Sequence, residues 1–279
     1  LAAAPQPHLS HRAGRHLANQ NGDAFDFSSM KHNVEAVPIP TAHSRTSDLV
    51  ALAKPRLNLL VVVSAVAGYV MASGDTHNLV RLLCLIVGTG FVAGGASAFN
   101  QIMERQPDAL MQRTRMRPMP DGRVATRDAW VFGSLLTIGG LVMLALGANL
   151  LSAGVAFVTM VSYAVVYTPL KRYSSFATVI GAIPGALPPV IGWAAALDEL
   201  SQGAWVLFGI VFLWQLPHFL AIAWIYRDDY ARAGFQMLPV IEPDGRSTAR
   251  QAVIYALALL PLSLAPTLFG MAGPIYFAG

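Results

Sequence analysis

Residues 82–99 have the sequence "LLCLIVGTGFVAGGASAF", and residues 100–123 continue as "NQIMERQPDALMQRTRMRPMPDGR". The first stretch contains no charged residue and approaches the ~20 apolar residues that a helix needs to cross a bilayer. The second stretch places acidic side chains, and then a series of arginines, directly at the end of this apolar stretch. The sequence therefore predicts a membrane-spanning helix that carries a charged cluster at one end.

The rest of the chain has the same character, because 54% of its 279 residues are hydrophobic and only 12% are charged, against about 25% charged in soluble domains. The apolar runs are continuous and do not alternate, which argues against a β-barrel. We predict an all-α fold, a polytopic transmembrane bundle with seven spans at about 57–73, 79–103, 129–147, 150–167, 177–197, 203–226 and 250–270. An eighth apolar stretch begins at "GPIYFAG" (273–279), so we expect a C-terminally truncated membrane domain.

Basic residues in the connections predict the orientation of these spans. One set of connections holds Lys54, Arg56, Arg105, Arg113, Arg115, Arg117, Arg123, Arg127, Lys171, Arg172, Arg227, Arg232, Arg246 and Arg250. The opposite set holds Arg81 beside the acids Asp75, Asp198 and Glu199. Since cytoplasmic connections carry the excess of Lys and Arg, the N-terminus is predicted to be cytoplasmic.

Residues 1–50 are polar, mixed in charge and without a short apolar signal segment, and we predict that they form a disordered cytoplasmic lead-in to a membrane domain at 51–279. A mitochondrial transit peptide would contain fewer acids. The bacterial inner (plasma) membrane is therefore the predicted location, with the mitochondrial inner membrane as the alternative. The lone cysteine, Cys84, excludes an internal disulfide and a cysteine-rich metal site.

Asn100, Glu104 and Asp108 recur every four residues, so a continuing helix would place them on one face. Pro107 complicates this, because it removes a backbone hydrogen bond and can bend the helix just before Asp108. Two carboxylates and an amide form an oxygen-rich site, and Mg²⁺ is commonly held by one or two carboxylates together with substrate phosphates. The spacing therefore predicts a Mg²⁺ site at the membrane edge.

Arginine binds phosphate oxygens in pairs, and four arginines follow at once: Arg113, Arg115, Arg117 and Arg123. Taken alone, such a loop is more often only a topology signal. Lys171 with Arg172 and Asp228 with Asp229 end other spans on the same predicted face, and ionisable groups at membrane depth are functional candidates. A diphosphate site beside an apolar bundle indicates a polyprenyl diphosphate, whose allylic C–O bond would ionise as cations stabilise the leaving group.

The stretch 100–123 closely resembles the first motif of the protohaem IX farnesyltransferase (haem O synthase) family, which belongs to the UbiA-type intramembrane prenyltransferases. That motif has the form N-x-x-x-D-x-x-x-D, and Glu104 replaces its middle acid here. Three further stretches resemble the family's first span and later motifs: "KPRLNLLVVVSAVAGYVMASG" (54–74), "YTPLKRYSSFATVIGAIPGALPPVIGWAAA" (167–196) and "WQLPHFLAIAWIYRDDYARAGFQMLPV" (214–240). The resemblance implies a nine-helix bundle, of which this chain holds seven spans and the start of an eighth.

The resemblance also implies an activity. A farnesyl group would pass from farnesyl diphosphate to a vinyl group of haem b, with water, to give haem O and diphosphate for haem A and cytochrome oxidase assembly. Mg²⁺ would be the cofactor, haem A synthase and the lipid bilayer would be partners, and no nucleic acid would be involved.

The site residues that the resemblance implies fall into four groups. The catalytic group is Asn100, Glu104, Asp108 and Lys171. The diphosphate-binding group is Arg113, Arg117, Arg123, Lys171 and Arg172. Metal would be held by Asn100, Glu104, Asp108 and Asp228. Asp228 and Asp229 would form the second acidic cluster, although the superfamily usually spaces it D-x-x-x-D.

His218, in the apolar "WQLPHF" (214–219), is the candidate haem-binding residue, because a neutral imidazole can ligate iron or orient a propionate. A hydrogen-bonded structural role is the more common alternative. Two other functions stay open at this point. The acceptor could be a quinone-precursor ring or chlorophyllide, or the basic mouth could serve an anion transporter, which leaves the acidic clusters unexplained.

Overall fold

The computed structural model describes residues 44–74, 76–273 and 275–276, and over these residues it contains helices and no strand. The helices are α1 (Arg45–Leu52), α2 (Pro55–Ser73), α3 (Leu79–Met103), α4 (Arg105–Leu110), α5 (Thr126–Gly147), α6 (Leu150–Val161), a π segment (Ser162–Tyr167), α7 (Thr168–Leu170), α8 (Ala177–Ala186), α9 (Pro188–Leu197), α10 (Gln202–Ile225), α11 (Arg227–Arg232), α12 (Leu238–Ile241), α13 (Arg246–Ser263) and α14 (Ala265–Leu268).

Seven of these helical stretches are long and apolar enough to cross a membrane, counted over the residues just given. They are 55–73, 79–103, 126–147, 150–170, 177–197, 202–225 and 246–268. The all-α fold class and the seven predicted spans are confirmed, and their bounds agree within four residues. The predicted disordered lead-in at 1–50 lies outside the described residues up to position 43. Its end forms α1, whose first turn is capped by the Ser44 hydroxyl accepting from the backbone N–H of Ser47 (3.1 Å).

Close helix contacts depend on glycine at the α2–α9 interface. A Cβ on Gly192 would collide with the carbonyl oxygen of Ala65, and one on Gly68 with the carbonyl oxygen of Pro189. Small residues let helices approach this closely in lipid, where packing rather than expulsion of water drives association. The contact buries Tyr69 and helps to position α2 beside the cavity described below.

In the fifth span, Pro184, Pro188 and Pro189 of "GAIPGALPPVIGW" (181–193) predict a kinked helix, and the structure breaks the span at this proline cluster. α8 ends at Ala186 and α9 begins at Pro188, with only Leu187 between them. Pro188 and Pro189 have no backbone N–H, so the α-helical hydrogen bonds that these positions would donate are missing. The resulting bend places Pro184, Gly185 and Pro188 in the wall of a cavity within the bundle.

Three polar connections meet on one face of the bundle, which we call the site face: 104–125, 171–176 and 226–245. The backbone N–H of Gln236 donates to the carbonyl oxygen of Lys171 (2.9 Å), and the Lys171 ammonium donates to Glu104 (2.8 Å). Side chains far apart in the chain therefore meet here, as the distribution of basic residues predicted.

Candidate active site

Asn100, Glu104 and Asp108 lie on one face despite Pro107. The backbone N–H of Glu104 donates to the carbonyl oxygen of Asn100 (2.9 Å), and that of Asp108 donates to Glu104 (2.8 Å), so the i to i−4 pattern continues from α3 into α4. Pro107 is tolerated because it lies in the first turn of α4, where backbone N–H groups lack partners within their own helix. The three side chains are 2%, 5% and 0% exposed.

Both carboxylates of this face hold a cation. The Lys171 ammonium donates to Oε1 of Glu104 (2.8 Å), and the Arg117 guanidinium donates to Oδ2 of Asp108 (2.7 Å). Burial by itself opposes the charge on both Glu104 and Lys171. Their mutual attraction wins, together with the Tyr167 phenol acting on Lys171, so the pKa of Glu104 lies below its ordinary value and that of Lys171 above. Both groups are therefore charged at neutral pH.

The amide of Asn100 is fixed from two sides. Its Oδ1 accepts from the Lys54 ammonium (2.9 Å), and its Nδ2 donates to the Thr168 hydroxyl (3.2 Å). The π segment makes the second bond possible, because Thr168 follows it directly and its hydroxyl also donates to the carbonyl oxygen of Tyr163 (2.9 Å). Single-turn π segments inside α-helices are frequent at functional sites. Here one brings the fourth span into contact with the second.

Lys54 is the site residue that sequence reasoning missed, since it was counted only as a topology signal. It joins α1 to α2 with φ 47° and ψ 58°, a left-handed conformation that few residues other than glycine adopt. Burial, and then the Arg117 guanidinium, lower the pKa of Lys54 to about 7. In the sequence, Lys54 is distinguished only by its position immediately before Pro55, the first residue of the first span.

An apolar cavity of about 360 Å³ opens beside these groups. Lys54 and Lys171 line it at the site face, whereas Val92, Ala156 and Ile191 line it deep in the bundle. The last three also belong to a tightly packed buried cluster, which closes the deep end. With a rise of 1.5 Å per helical residue, this end lies roughly 12–16 Å from Asn100. The site thus combines a charged mouth with an apolar chamber of limited depth.

Aromatic rings line the passage between mouth and chamber. Tyr163 and Tyr167 both face the cavity, with ring centroids 5.7 Å apart. The Lys171 ammonium lies 4.5 Å from the centroid of the Tyr167 ring, within the range at which the face of an aromatic ring attracts a cation. These faces suit a passage in which positive charge develops.

Asp229 of the predicted second acidic cluster anchors the loop 111–125 to α11. Its two carboxylate oxygens accept from the backbone N–H groups of Gln112 (3.2 Å) and Arg113 (3.3 Å), and Arg232 pairs with it as well. Burial acts to raise the pKa of Asp229, but these donors outweigh it and hold the pKa below its ordinary value. The stability that the anchor contributes is therefore present above the ordinary pKa of an aspartate and is lost as pH falls through the lower folded-state pKa.

Asp228 is placed differently, because its side chain is 82% exposed and its nearest cation is Arg227, with 3.8 Å between Nε and Oδ1. Arg113 lies on the site face with its guanidinium 4.5 Å from the centroid of the Tyr226 ring, and it donates to the hydroxyl of Tyr230 (3.3 Å). The two neighbouring acids of this cluster therefore have different roles: Asp229 anchors a loop, and Asp228 faces outward.

The other predicted residues occupy distinct places. Arg123 is paired with Asp48 (2.6 Å) and Asp121 (2.7 Å), so it ties the loop to α1. Arg172 is exposed on the site face. His218 is exposed on α10 and stacks on Trp214, with ring centroids 5.2 Å apart. It does not line the cavity, although its neighbour Phe219 does.

The first acidic face fits Mg²⁺. Among the described residues, Oδ1 of Asp108 is buried without a hydrogen-bond partner, so an oxygen is left for a ligand to satisfy. Among the residues that the structure describes, no group of three His, Cys, Asp or Glu side chains forms a metal cage. Asn100, Glu104 and Asp108 offer two carboxylates and an amide, which suits an ion that keeps waters and takes substrate phosphates as ligands.

We predict that Asp229→Asn loosens the loop 111–125. An amide keeps one oxygen, so its NH₂ group would face a backbone N–H of Gln112 or Arg113, and an unsatisfied buried donor costs about 1–3 kcal/mol. Hydrogen exchange of this loop should accelerate correspondingly. Asp228→Asn is the matched control, because that exposed carboxylate contacts no loop amide. Equal exchange rates in the two variants would contradict the anchoring role.

Comparisons with known proteins agree with this architecture. The sequence model of the UbiA prenyltransferase family matches residues 61–279. A protein named protoheme IX farnesyltransferase from Solibacter usitatus (strain Ellin6076) is 52% identical over 241 residues, which cover 83% of this chain and 82% of that protein. A protein of the same name from Koribacter versatilis (strain Ellin345) is 46% identical over 245 residues, covering 87% and 79%.

Two solved structures share the fold at low sequence identity. A UbiA homolog from Archaeoglobus fulgidus bound to GPP and Mg²⁺ has a TM-score of 0.67 and 18% identity, covering 82% of this chain and 80% of that one. A digeranylgeranylglyceryl phosphate synthase has a TM-score of 0.68 and 18% identity, covering 82% and 79%. The chain belongs to the UbiA prenyltransferase family, and it is a multi-pass membrane enzyme that transfers prenyl groups.

Proposed function

We propose that this enzyme transfers a farnesyl group from farnesyl diphosphate to a vinyl group of haem b, with water supplying a hydroxyl group, to give haem O and diphosphate. The observation that carries the proposal is the buried face of Asn100, Glu104 and Asp108, whose partners Lys54 and Lys171 line an apolar cavity. The names of relatives that are 40–52% identical supply the acceptor, which the residues of the diphosphate site do not specify.

The residues divide the work between mouth and chamber. Asn100, Glu104 and Asp108 would hold Mg²⁺, which when bound supplies positive charge to the leaving diphosphate. Lys171 and Arg117 already lie against these carboxylates and can donate to phosphate oxygens. The cavity holds the prenyl chain and excludes water from the allylic cation, while Tyr163 and Tyr167 present ring faces to it.

The remaining predicted residues take roles that their positions support. Arg113 and Arg172 are exposed on the site face and can reach a diphosphate arriving there. Arg123 contributes by fixing the loop through Asp48 rather than by direct contact. Asp228 is assigned to the outer approach of the metal and diphosphate, where its exposed carboxylate can bind Mg²⁺ through water.

The membrane context follows from the charge pattern. We place the site face in the cytoplasm, because the excess of Lys and Arg lies on that face. We place the bundle in the bacterial plasma membrane, because the relatives compared above are bacterial proteins. The product would pass to an oxidising enzyme of haem A synthesis, with haem A synthase as the partner. His218 remains the haem-binding candidate, on the outer surface of α10 beside the cavity wall at Phe219.

We predict that a farnesylated, hydrated haem forms when membranes containing the enzyme are incubated with Mg²⁺, farnesyl diphosphate and haem b. Mass spectrometry of the products detects it. Parallel reactions replace haem b with an aromatic acid acceptor of the quinone-precursor type. A prenylated aromatic acid without any farnesylated haem would reject haem as the acceptor. No prenylated product from either acceptor would contradict the assignment as a whole.

A further inference from the structure

Lys54 occupies a position that the prenyl-transfer roles above do not explain. Its ammonium donates to Oδ1 of Asn100 (2.9 Å), and its side chain lines the mouth of the cavity together with that of Lys171. Its backbone is held at φ 47°. Left-handed residues other than glycine persist where the surroundings fix them, and they concentrate at functional sites.

The surroundings do fix Lys54 on both sides. Its backbone N–H donates to the carbonyl oxygen of Ala51 (3.3 Å) at the end of α1. Its own carbonyl oxygen accepts from the N–H groups of Leu57 (3.0 Å) and Asn58 (3.1 Å) in the first turn of α2. The junction of two helices therefore aims this one side chain at Asn100.

The bond to Lys54 conflicts with metal binding at the same atom. Nδ2 of Asn100 donates to Thr168, which leaves Oδ1 as the atom of this amide that can ligate a metal. An ammonium and a Mg²⁺ ion on one oxygen would lie about 4 Å apart. Two cations at that separation repel strongly in a buried site. Lys54 and Mg²⁺ are thus competitors for Asn100.

We propose that Lys54 competes with Mg²⁺ for the carbonyl oxygen of Asn100 and, once the metal displaces it, turns to the oxygens of the prenyl diphosphate. The proposal rests on the proposed function for the metal and the diphosphate. It makes Lys54 a diphosphate-binding residue that opposes binding of metal alone and favours binding of metal together with diphosphate. The site would then assemble fully only when both components are present.

Removal of the Lys54 side chain is expected to strengthen the binding of Mg²⁺ alone and to weaken the binding of the diphosphate. These opposite changes distinguish the proposed role from a structural one. In Lys54→Met, Mg²⁺ alone should bind about three- to tenfold more tightly, because a competing cation is removed. Farnesyl thiolodiphosphate, an unreactive analogue, should bind about tenfold more weakly in saturating Mg²⁺, because a charged hydrogen bond to phosphate is lost. Both affinities are measured by calorimetry on the intact protein in detergent.

Three variants control the measurement. Lys54→Gly suits the left-handed backbone and should reproduce both changes without a folding penalty. Lys54→Arg keeps the charge and should stay within about threefold of the wild type in both affinities. Arg56→Met removes an exposed charge two residues away and should change neither affinity.

The outcomes are distinct from those of the acceptor assay. A parallel fall of both affinities in Lys54→Met and Lys54→Gly would show a structural role only, and unchanged affinities would show that Lys54 is a bystander. Either result overturns the proposal even if the wild type makes farnesylated haem. A wild type that binds neither Mg²⁺ nor the analogue would instead contradict the proposed function.

Discussion

Asp108→Asn is expected to lower turnover by about 10²–10³-fold while the protein stays folded in the membrane. Loss of one group that stabilises transition-state charge has an effect of this size. Asp108 is fully buried, its Oδ2 accepts from Arg117, and its Oδ1 has no partner within the part of the chain that the structure describes. An amide removes the negative charge and one of the two acceptor oxygens of this side chain, which is proposed to face the metal. The Mg²⁺ concentration for half-maximal rate should rise together with the loss of turnover.

Asp244→Asn is the matched control for this change. Its carboxylate belongs to the same face but its side chain is 59% exposed, and the only cation near it is Arg246 at 3.8 Å, among the described residues. Turnover and Mg²⁺ dependence should remain at wild-type values. Thermal unfolding of both variants separates loss of chemistry from loss of fold. If Asp108→Asn kept both its turnover and its Mg²⁺ dependence, the metal assignment would be wrong.

Ala156→Leu is expected to shorten the prenyl chain that the enzyme accepts. Ala156 lines the cavity at its deep end and is itself fully buried, so the larger side chain has to project into the cavity or strain the core. A size mismatch between a substrate and an apolar pocket costs about 1–3 kcal/mol of transition-state binding, which corresponds to roughly a 5–150-fold loss of kcat/KM for farnesyl diphosphate. Geranyl diphosphate, one isoprene unit shorter, should retain most of its kcat/KM.

Gly154→Leu provides the comparison on the same helix. Gly154 is exposed, and a Cβ built there meets no atom within 4 Å, so the same side chain is placed against lipid instead of in the cavity. The Gly154→Leu variant should show the same preference between farnesyl and geranyl diphosphate as the wild type. The ratio of the two kcat/KM values is the measurement, and an unchanged ratio in Ala156→Leu would refute the placement of the prenyl chain.

Much of the fold could be predicted because its signals are local. A run of apolar residues predicts a span wherever it occurs, since each span must satisfy its own backbone hydrogen bonds in lipid. The spacing of Asn100, Glu104 and Asp108 is also a local signal, because helical periodicity predicts one face for them if the helix continues past Pro107. The break at Pro188 and Pro189 could also be predicted from the sequence, because the missing N–H groups are a property of the residues themselves.

The roles of charged residues were less predictable, because a charge acquires its role from its partner. Asp228 and Asp229 are adjacent and chemically identical, yet one is exposed and the other anchors the loop 111–125. Arg123 looked equivalent to Arg117 in the sequence, but it pairs with Asp48 of α1, 75 positions earlier in the chain.

The sequence by itself determined the seven spans, the face that carries the charges and the spacing of Asn100, Glu104 and Asp108. Each follows from helical periodicity or from the cost of burying backbone or charge in lipid. Only the tertiary structure decided that Pro107 leaves Asp108 on the face of Asn100, that Asp229 binds loop amides, and that Lys54 reaches Asn100. These depend on distances between helices, and a distance between helices is set by how whole surfaces pack, which no single stretch of sequence contains.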